Sequence, residues 1–169
     1  YWGAESLGYY SRAYGLLLLP LTLVNGPLSS ATIPALSRLQ SNDERWGSAF
    51  LRAFTAANLV GCAFGTVLVA AAEPIIRLVY GDGWDRAAEI FLVLSLSMFA
   101  ASSSNTAGWR FISRGQSAQM LHWSLLTTSV RLISFAASLP YGITVFATVY
   151  TVVTFALLVP NLWYMSRGT

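Results

Sequence analysis

The chain has 169 residues, 55% of them hydrophobic and 10% charged, and its mean hydropathy is +0.56. Soluble domains carry roughly 25% charged residues and disorder needs low hydrophobicity, so both are excluded. The lone Cys62 and single His argue against a disulfide scaffold or a metal site.

A net charge of +3 and a pI near 9.3 raise nucleic acid as a partner. Every base is Arg, however, and none gathers into the solvated positive stripe that displaces counterions. No nucleic-acid partner is expected, and the chain reads as an integral membrane protein. It opens Tyr1-Trp2-Gly3, without Met and without a charged start leading into a short apolar stretch. That start has no signal-peptide pattern and leads us to expect an internal piece of a longer chain.

Crossing about 30 Å of hydrocarbon takes about 20 helical residues. Five segments are long enough, near 14–37, 49–71, 88–110, 118–139 and 142–164. Helices satisfy their own backbone in lipid, and no barrel-like alternation appears. The expected fold class is therefore all-α, a polytopic transmembrane helix bundle forming a single transmembrane region over 1–169.

The first span carries Pro20, Pro27 and Pro34, seven residues apart. At 100° per residue, neighbours are about 700° apart and share nearly one face. Each proline removes a backbone donor and tends to kink the helix, and Asn25-Gly26 offers polar groups to a loosened turn. Two readings stay open. One is the ordinary tolerance of transmembrane helices for Pro and Gly. The other is a hinge of an alternating-access carrier, made by Pro20, Asn25, Gly26, Pro27 and Pro34.

In the second span, Ala57, Gly61 and Gly65 form a small-residue ridge for close helix packing. The connection Ala72–Arg86 follows, with Pro74 suited to the first turn of a short helix over 74–80 along the interface. The third span holds Ser102-Ser103-Ser104-Asn105-Thr106, a block that interhelical hydrogen bonding or a polar cavity would each explain. In the fourth, Arg131 lies about a dozen residues from the start of the span with no acid within two turns. An arginine that deep is costly unless it faces protein or water. It lines an anion-attracting cavity and binds substrate, makes a structural pair, or reaches the outer headgroups. His122, nine residues earlier, falls on the opposite face beside Trp123 and reads as structural.

Alternate connections place Arg38, Arg45, Arg52, Arg110, Arg114 and Arg167 on one side, against Asp43 and Glu44. The other side has Arg12, Arg77 and Arg86 with Glu5, Glu73, Asp82, Asp85 and Glu89. The positive-inside rule puts the arginine-rich side in the cytoplasm, so the chain starts outside and ends inside. Trp46, Trp84, Trp109, Trp123 and Trp163 fall near predicted span ends, as in an interfacial belt. No nucleophile, base and orienting acid converge, and no phosphate loop is present. Neither an enzyme activity nor a cofactor or metal is expected.

One family resemblance rests on motifs in order. The opening Trp2-Gly3-Ala4-Glu5-Ser6-Leu7-Gly8-Tyr9-Tyr10-Ser11-Arg12-Ala13-Tyr14 resembles the loop entering the C-terminal half of Wzx and WzxC-like polysaccharide flippases. These are members of the multidrug/oligosaccharidyl-lipid/polysaccharide exporter superfamily. The likeness continues through Leu19-Pro20-Leu21, Gly26-Pro27-Leu28-Ser29 and Pro34-Ala35-Leu36-Ser37-Arg38-Leu39-Gln40. It resumes at Glu73-Pro74-Ile75-Ile76, Gly81-Asp82-Gly83-Trp84 and Phe111-Ile112-Ser113-Arg114-Gly115, covering about the first two-thirds of the chain.

The resemblance implies a two-lobed helical transporter of which this chain is a fragment of the C-terminal lobe. It implies flipping of undecaprenyl-diphosphate-linked oligosaccharide across the bacterial inner membrane, for exopolysaccharide, capsule or lipopolysaccharide biosynthesis. The partners would be the lipid-linked oligosaccharide, membrane lipids, the N-terminal lobe of the same chain, and the polysaccharide polymerase and export machinery. A multidrug or peptidoglycan-precursor exporter of the same superfamily is one alternative. A non-transporting or truncated membrane protein is another. The absence of a large extracytoplasmic loop disfavours a membrane-embedded polymerase.

Overall fold

A computed structural model describes residues 3–166. Its elements are α1 (Gly3–Arg38), α2 (Asp43–Ala70), α3 (Ala72–Tyr80), α4 (Asp85–Leu96), α5 (Met98–Ser113), α6 (Ser117–Ser138) and α7 (Ile143–Ser166). A 3-10 turn over Leu139–Tyr141 joins the last two helices, and no strand occurs among the described residues. The all-α helical bundle is the architecture observed. Arg167 and Trp2, used in the orientation and the family motif, lie outside the described residues.

Three helices are long and apolar enough to cross a membrane: Glu5–Arg38, Asp43–Ala70 and Ile143–Trp163. A fourth span arises if α4 and α5 are taken together. The expected five spans therefore need two corrections. The segment 88–110 is not one straight span, because α4 and α5 meet at 48°. Neither Gly nor Pro lies at the break. Instead the Ser95 and Ser97 hydroxyls donate back to the Phe91 and Leu94 carbonyls at 2.7 and 2.6 Å, a pattern that bends helices. Thr151 of α7 donates to the Val93 carbonyl at 2.8 Å. A backbone carbonyl one turn before the bend thus has a partner on another helix.

The segment 118–139 is helical, but α6 is not among the helices apolar enough to cross a membrane. Its 22 residues would reach about 33 Å, so length is not the obstacle. Gln119, His122, Ser124, Thr127, Thr128, Ser129 and Arg131 break up the apolar run.

The N-terminal segment also differs from expectation, since helix begins at Gly3 rather than near Tyr14. Tyr9, Tyr10, Ala13, Tyr14 and Leu17 recur at helical spacing and pack on the core formed by α3, α4 and α7. Tyr9 donates to Glu5 one turn back at 2.9 Å. Burial along that face holds as helix a stretch that reads as a loop. The short helix after Glu73 forms as expected, one residue pair earlier, with Ala72 and Ile76 inward and Leu78 outward.

A second core joins Leu36, Trp46, Phe50, Ala57, Ala107 and Trp109 at the opposite end of the bundle. Trp46 and Trp109 therefore do not belong to a lipid-facing aromatic belt. Both are buried, with indole N–H groups donating to Ser113 at 3.3 Å and Ser29 at 2.8 Å. A buried indole N–H needs such a partner. At this end Gly115, with φ of 67°, closes α5, and the Gln116 N–H reaches back to the Phe111 carbonyl at 2.8 Å. Glycine suits that left-handed cap because it has no Cβ to clash.

Along the small-residue ridge of α2, Ala57, Gly61 and Gly65 are all buried. A Cβ on Gly61 would overlap the Ser102 side chain, reaching 2.6 Å from its Cβ. A Cβ on Gly65 would meet Met98 and Phe99 at 3.3 Å, just past the α4–α5 break. Gly61→Ala is expected to destabilise the bundle by about 1–3 kcal/mol, the usual cost of overpacking. Ser102→Gly should recover part of that loss. A double-mutant cycle on thermal midpoints in detergent checks it, and additive losses would contradict the contact.

Candidate functional site

The prolines of α1 stand inside one continuous helix. Pro20 and Asn25 meet Ala57, Gly61 and Ser102 around a void of about 10 Å³, roughly the size of one water. Gly26, Pro27 and Pro34 lie on the exposed side of α1. The structure thus joins one part of the hinge set to the packing ridge and leaves the other part on the surface.

The polar block of α5 divides between two roles. Ser102 sits against Gly61 and donates to the Met98 carbonyl at 3.1 Å. Ser103 donates to Asn58 Oδ1 on α2 at 2.5 Å. Ser104 and Asn105 turn instead to a cavity. Interhelical bonding and a polar cavity are both present, within a single turn of α5.

That cavity, of about 210 Å³, lies where α5, α6 and α7 meet. From α6 it takes Met120, Trp123, Ser124, Thr127 and Arg131. Their spacing of three, four, seven and eleven residues is a single helical stripe. From α7 it takes Leu157 and Asn161. His122 is absent from this lining and exposed, with its Nδ1 2.7 Å from the Ala118 carbonyl, as the angular argument anticipated.

Arg131 is half-buried, and its Nε is buried with no hydrogen-bond partner. Asn161 is 6% exposed, and its Oδ1 likewise lacks a partner. No carboxylate lines the cavity. Arg131 stands about 21 Å along α6 from Ser117 at 1.5 Å per residue. On α7, Tyr150 belongs to a ring cluster with Tyr14 and Phe135, at centroid distances of 5.8 and 6.0 Å. A permanent cation without a counter-charge, in surroundings of low polarity, attracts an anion. The Ser104 and Thr127 hydroxyls already donate to carbonyls of their own helices and keep lone pairs to accept with, while the Asn105 side-chain amide carries both donors and an acceptor.

Sequence reasoning picked out Arg131 and the polar block Ser102–Thr106, which contains Ser104 and Asn105, but missed Asn161. A signal existed. Asn161 follows Pro160 and is a lone amide after the apolar run Phe155–Val159. Pro160 itself removes one backbone donor beside the cavity.

Fold and site together define a helical membrane protein with a cationic, hydrogen-bonding cavity between helices. Residues 1–89 match the polysaccharide biosynthesis protein family, more than half of the 169 residues, and the chain belongs to that family. It is also similar to the teichuronic acid biosynthesis protein TuaB of Bacillus subtilis (strain 168), at 25% identity over 149 residues. That alignment covers 88% of this chain and 29% of the relative, so the chain spans under a third of that curated protein. No solved structure matches it.

Proposed function

We propose that the chain forms part of the C-terminal lobe of a flippase. The protein would translocate undecaprenyl-diphosphate-linked oligosaccharide by alternating access, without chemical conversion of its cargo. The observation that carries this reading is the cavity around Arg131. A diphosphate and a glycan need a cationic, hydrated surface inside an otherwise apolar bundle, and Arg131 with Asn105 and Asn161 supplies one. Membership of a polysaccharide biosynthesis family supports a glycan as cargo. The cavity's α5 and α6 walls lead to the end of the bundle bearing Arg38, Arg45, Arg110 and Arg114. In our reading that end faces the cytoplasm of the bacterial inner membrane, the side on which the substrate loads.

Deleting the full-length gene should stop polymer export and accumulate lipid-linked repeat units on the inner leaflet. Unchanged export without accumulation would sink this function.

Movement is assigned to α1, hinging over Pro20, Asn25, Gly26, Pro27 and Pro34. Replacing the three prolines with Ala restores three backbone donors, and proline in a helix interior costs about 3 kcal/mol relative to alanine. The triple variant should therefore be more stable to heat yet translocate more slowly. Transport at the wild-type rate in reconstituted vesicles would remove the hinge.

A further inference from the structure

The bend between α4 and α5 is made without proline, so every backbone donor that a straight helix needs is still in place. In a continuous α-helix the Ser97 N–H would bond to the Val93 carbonyl. Here it bonds to the Leu94 carbonyl at 2.9 Å. The Val93 carbonyl instead accepts from the Thr151 hydroxyl of α7 at 2.8 Å. Leu94, Ser95, Ser97 and Thr151 are all buried, so a carbonyl released there needs a partner from the protein.

Thr151 has a second acceptor within reach. The Ala147 carbonyl, one turn back on α7, lies 3.2 Å from the same hydroxyl oxygen, and a hydroxyl has one proton to give. If the bend opens, the Ser97 N–H can return to Val93, the Met98 N–H to Leu94, and Thr151 to Ala147. No donor or carbonyl at the break is stranded in either arrangement. A proline kink has no such alternative, because its donor is missing. Two arrangements with matched hydrogen bonds differ little in energy, as a reversible element requires.

We propose that the α4–α5 bend is a reversible hinge and that Thr151 is its latch, holding the bent state from α7. Ser104 and Asn105 stand about 10–12 Å beyond Ser97 along α5, on the wall of the cavity. Each 10° or so of opening therefore moves them by about 2 Å relative to α4. Further along α7, Leu157 and Asn161 form the facing wall, so the latch sits on the helix that the moving wall faces. The use of this hinge in transport rests on the flippase reading; the hinge itself does not.

The test uses the full-length protein in lipid nanodiscs, spin-labelled through Glu89→Cys and Ile112→Cys, with Cys62→Ser and no other cysteine. Both label positions are exposed. They lie about 12 and about 22 Å from Ser97 along the two helix axes. At the 48° bend the two points are about 32 Å apart, against about 35 Å in a straight helix. Pulsed electron–electron resonance distances in the wild type should centre on the shorter value. Thr151→Val keeps the side-chain shape, deletes the donor and strands the Val93 carbonyl in the bent state alone. It should raise the ratio of long to short distances roughly 2- to 10-fold, the weight of one hydrogen bond. Thr151→Ser keeps the hydroxyl and should match the wild type.

Thermal midpoints show whether Thr151→Val is folded. Ser97→Ala removes the Ser97 hydroxyl bond to Leu94 at 2.6 Å and provides a second variant that should shift the same way. Unchanged distances in both variants, or a shift in Thr151→Ser as large as in Thr151→Val, would overturn the latch. Lengthened distances with wild-type translocation in Thr151→Val would overturn its part in transport. Export lost on gene deletion, together with unchanged distances, would refute the latch alone. A clear shift in a protein whose deletion leaves export intact would refute flipping and keep the hinge.

Discussion

Arg131→Gln in the full-length protein is expected to reduce translocation of lipid-linked repeat units roughly 10- to 150-fold at unchanged membrane abundance. The size follows from the roughly 1.5–3 kcal/mol carried by a hydrogen bond to a charged group, where about 1.4 kcal/mol is tenfold. Gln keeps hydrogen-bonding capacity and much of the side-chain length, so the change removes the charge rather than the packing. No carboxylate lines the cavity, so the substitution strands no buried partner and stability should hardly move. Arg131→Lys should recover part of the rate, since it keeps the charge but not the planar fork. The measurement is leaflet accessibility of the repeat unit in inverted vesicles, read beside a thermal melt. Full transport by Arg131→Gln would show that the cation does not meet the cargo.

Trp46→Ala carries the largest expected loss of stability, about 3–5 kcal/mol. Trp46 is fully buried in the second core. It stacks on Phe50 at 5.0 Å, lies under the Arg114 guanidinium at 4.1 Å and donates to Ser113 at 3.3 Å. Its removal opens a cavity where the start of α2 meets the end of α5, and leaves the Arg114 cation without its aromatic support. The Arg114–Asp43 pair at 2.9 Å is a much weaker tie, because Asp43 is largely exposed and water screens it. Asp43→Ala should therefore cost under about 1 kcal/mol. Thermal unfolding of both variants in the same detergent checks the ranking. A larger loss for Asp43→Ala would reverse the roles of ring and ion pair.

Much of the fold was legible because lipid allows so few backbones. Long apolar runs with arginine and aromatic punctuation leave helices as the ready solution, and α1, α2 and α7 follow directly. The errors came where a helix is defined by its neighbours. The bend at Ser97 contains neither Gly nor Pro, and depends on serine back-bonding and on Thr151 reaching over from α7. The extension of α1 to Gly3 depends on aromatic residues finding a core made by α3, α4 and α7. Trp46 and Trp109 sit at helix ends, as a lipid belt would place them, but their N–H groups meet serines of other helices.

The candidate site was legible only in pieces. An arginine without a nearby acid stands out in any apolar stretch, and a run of serines with an asparagine does as well. That Ser104 and Asn105 share a space with Arg131 while Ser102 and Ser103 do not is decided by how α5 rotates between α2 and α6. Asn161 looked generic because one amide in an apolar helix has no periodicity to mark it.

Composition and charge order, by themselves, determined a helical membrane protein with an arginine-rich end and a lone deep cation. Those properties depend on the cost of placing each group in hydrocarbon, which adds up residue by residue along the chain. Only the tertiary structure decided which helix bends, which tryptophans are buried, and that α5, α6 and α7 enclose Arg131 with Asn161. Those outcomes depend on steric fit and hydrogen-bond pairing between residues far apart in sequence, and hydropathy does not encode them.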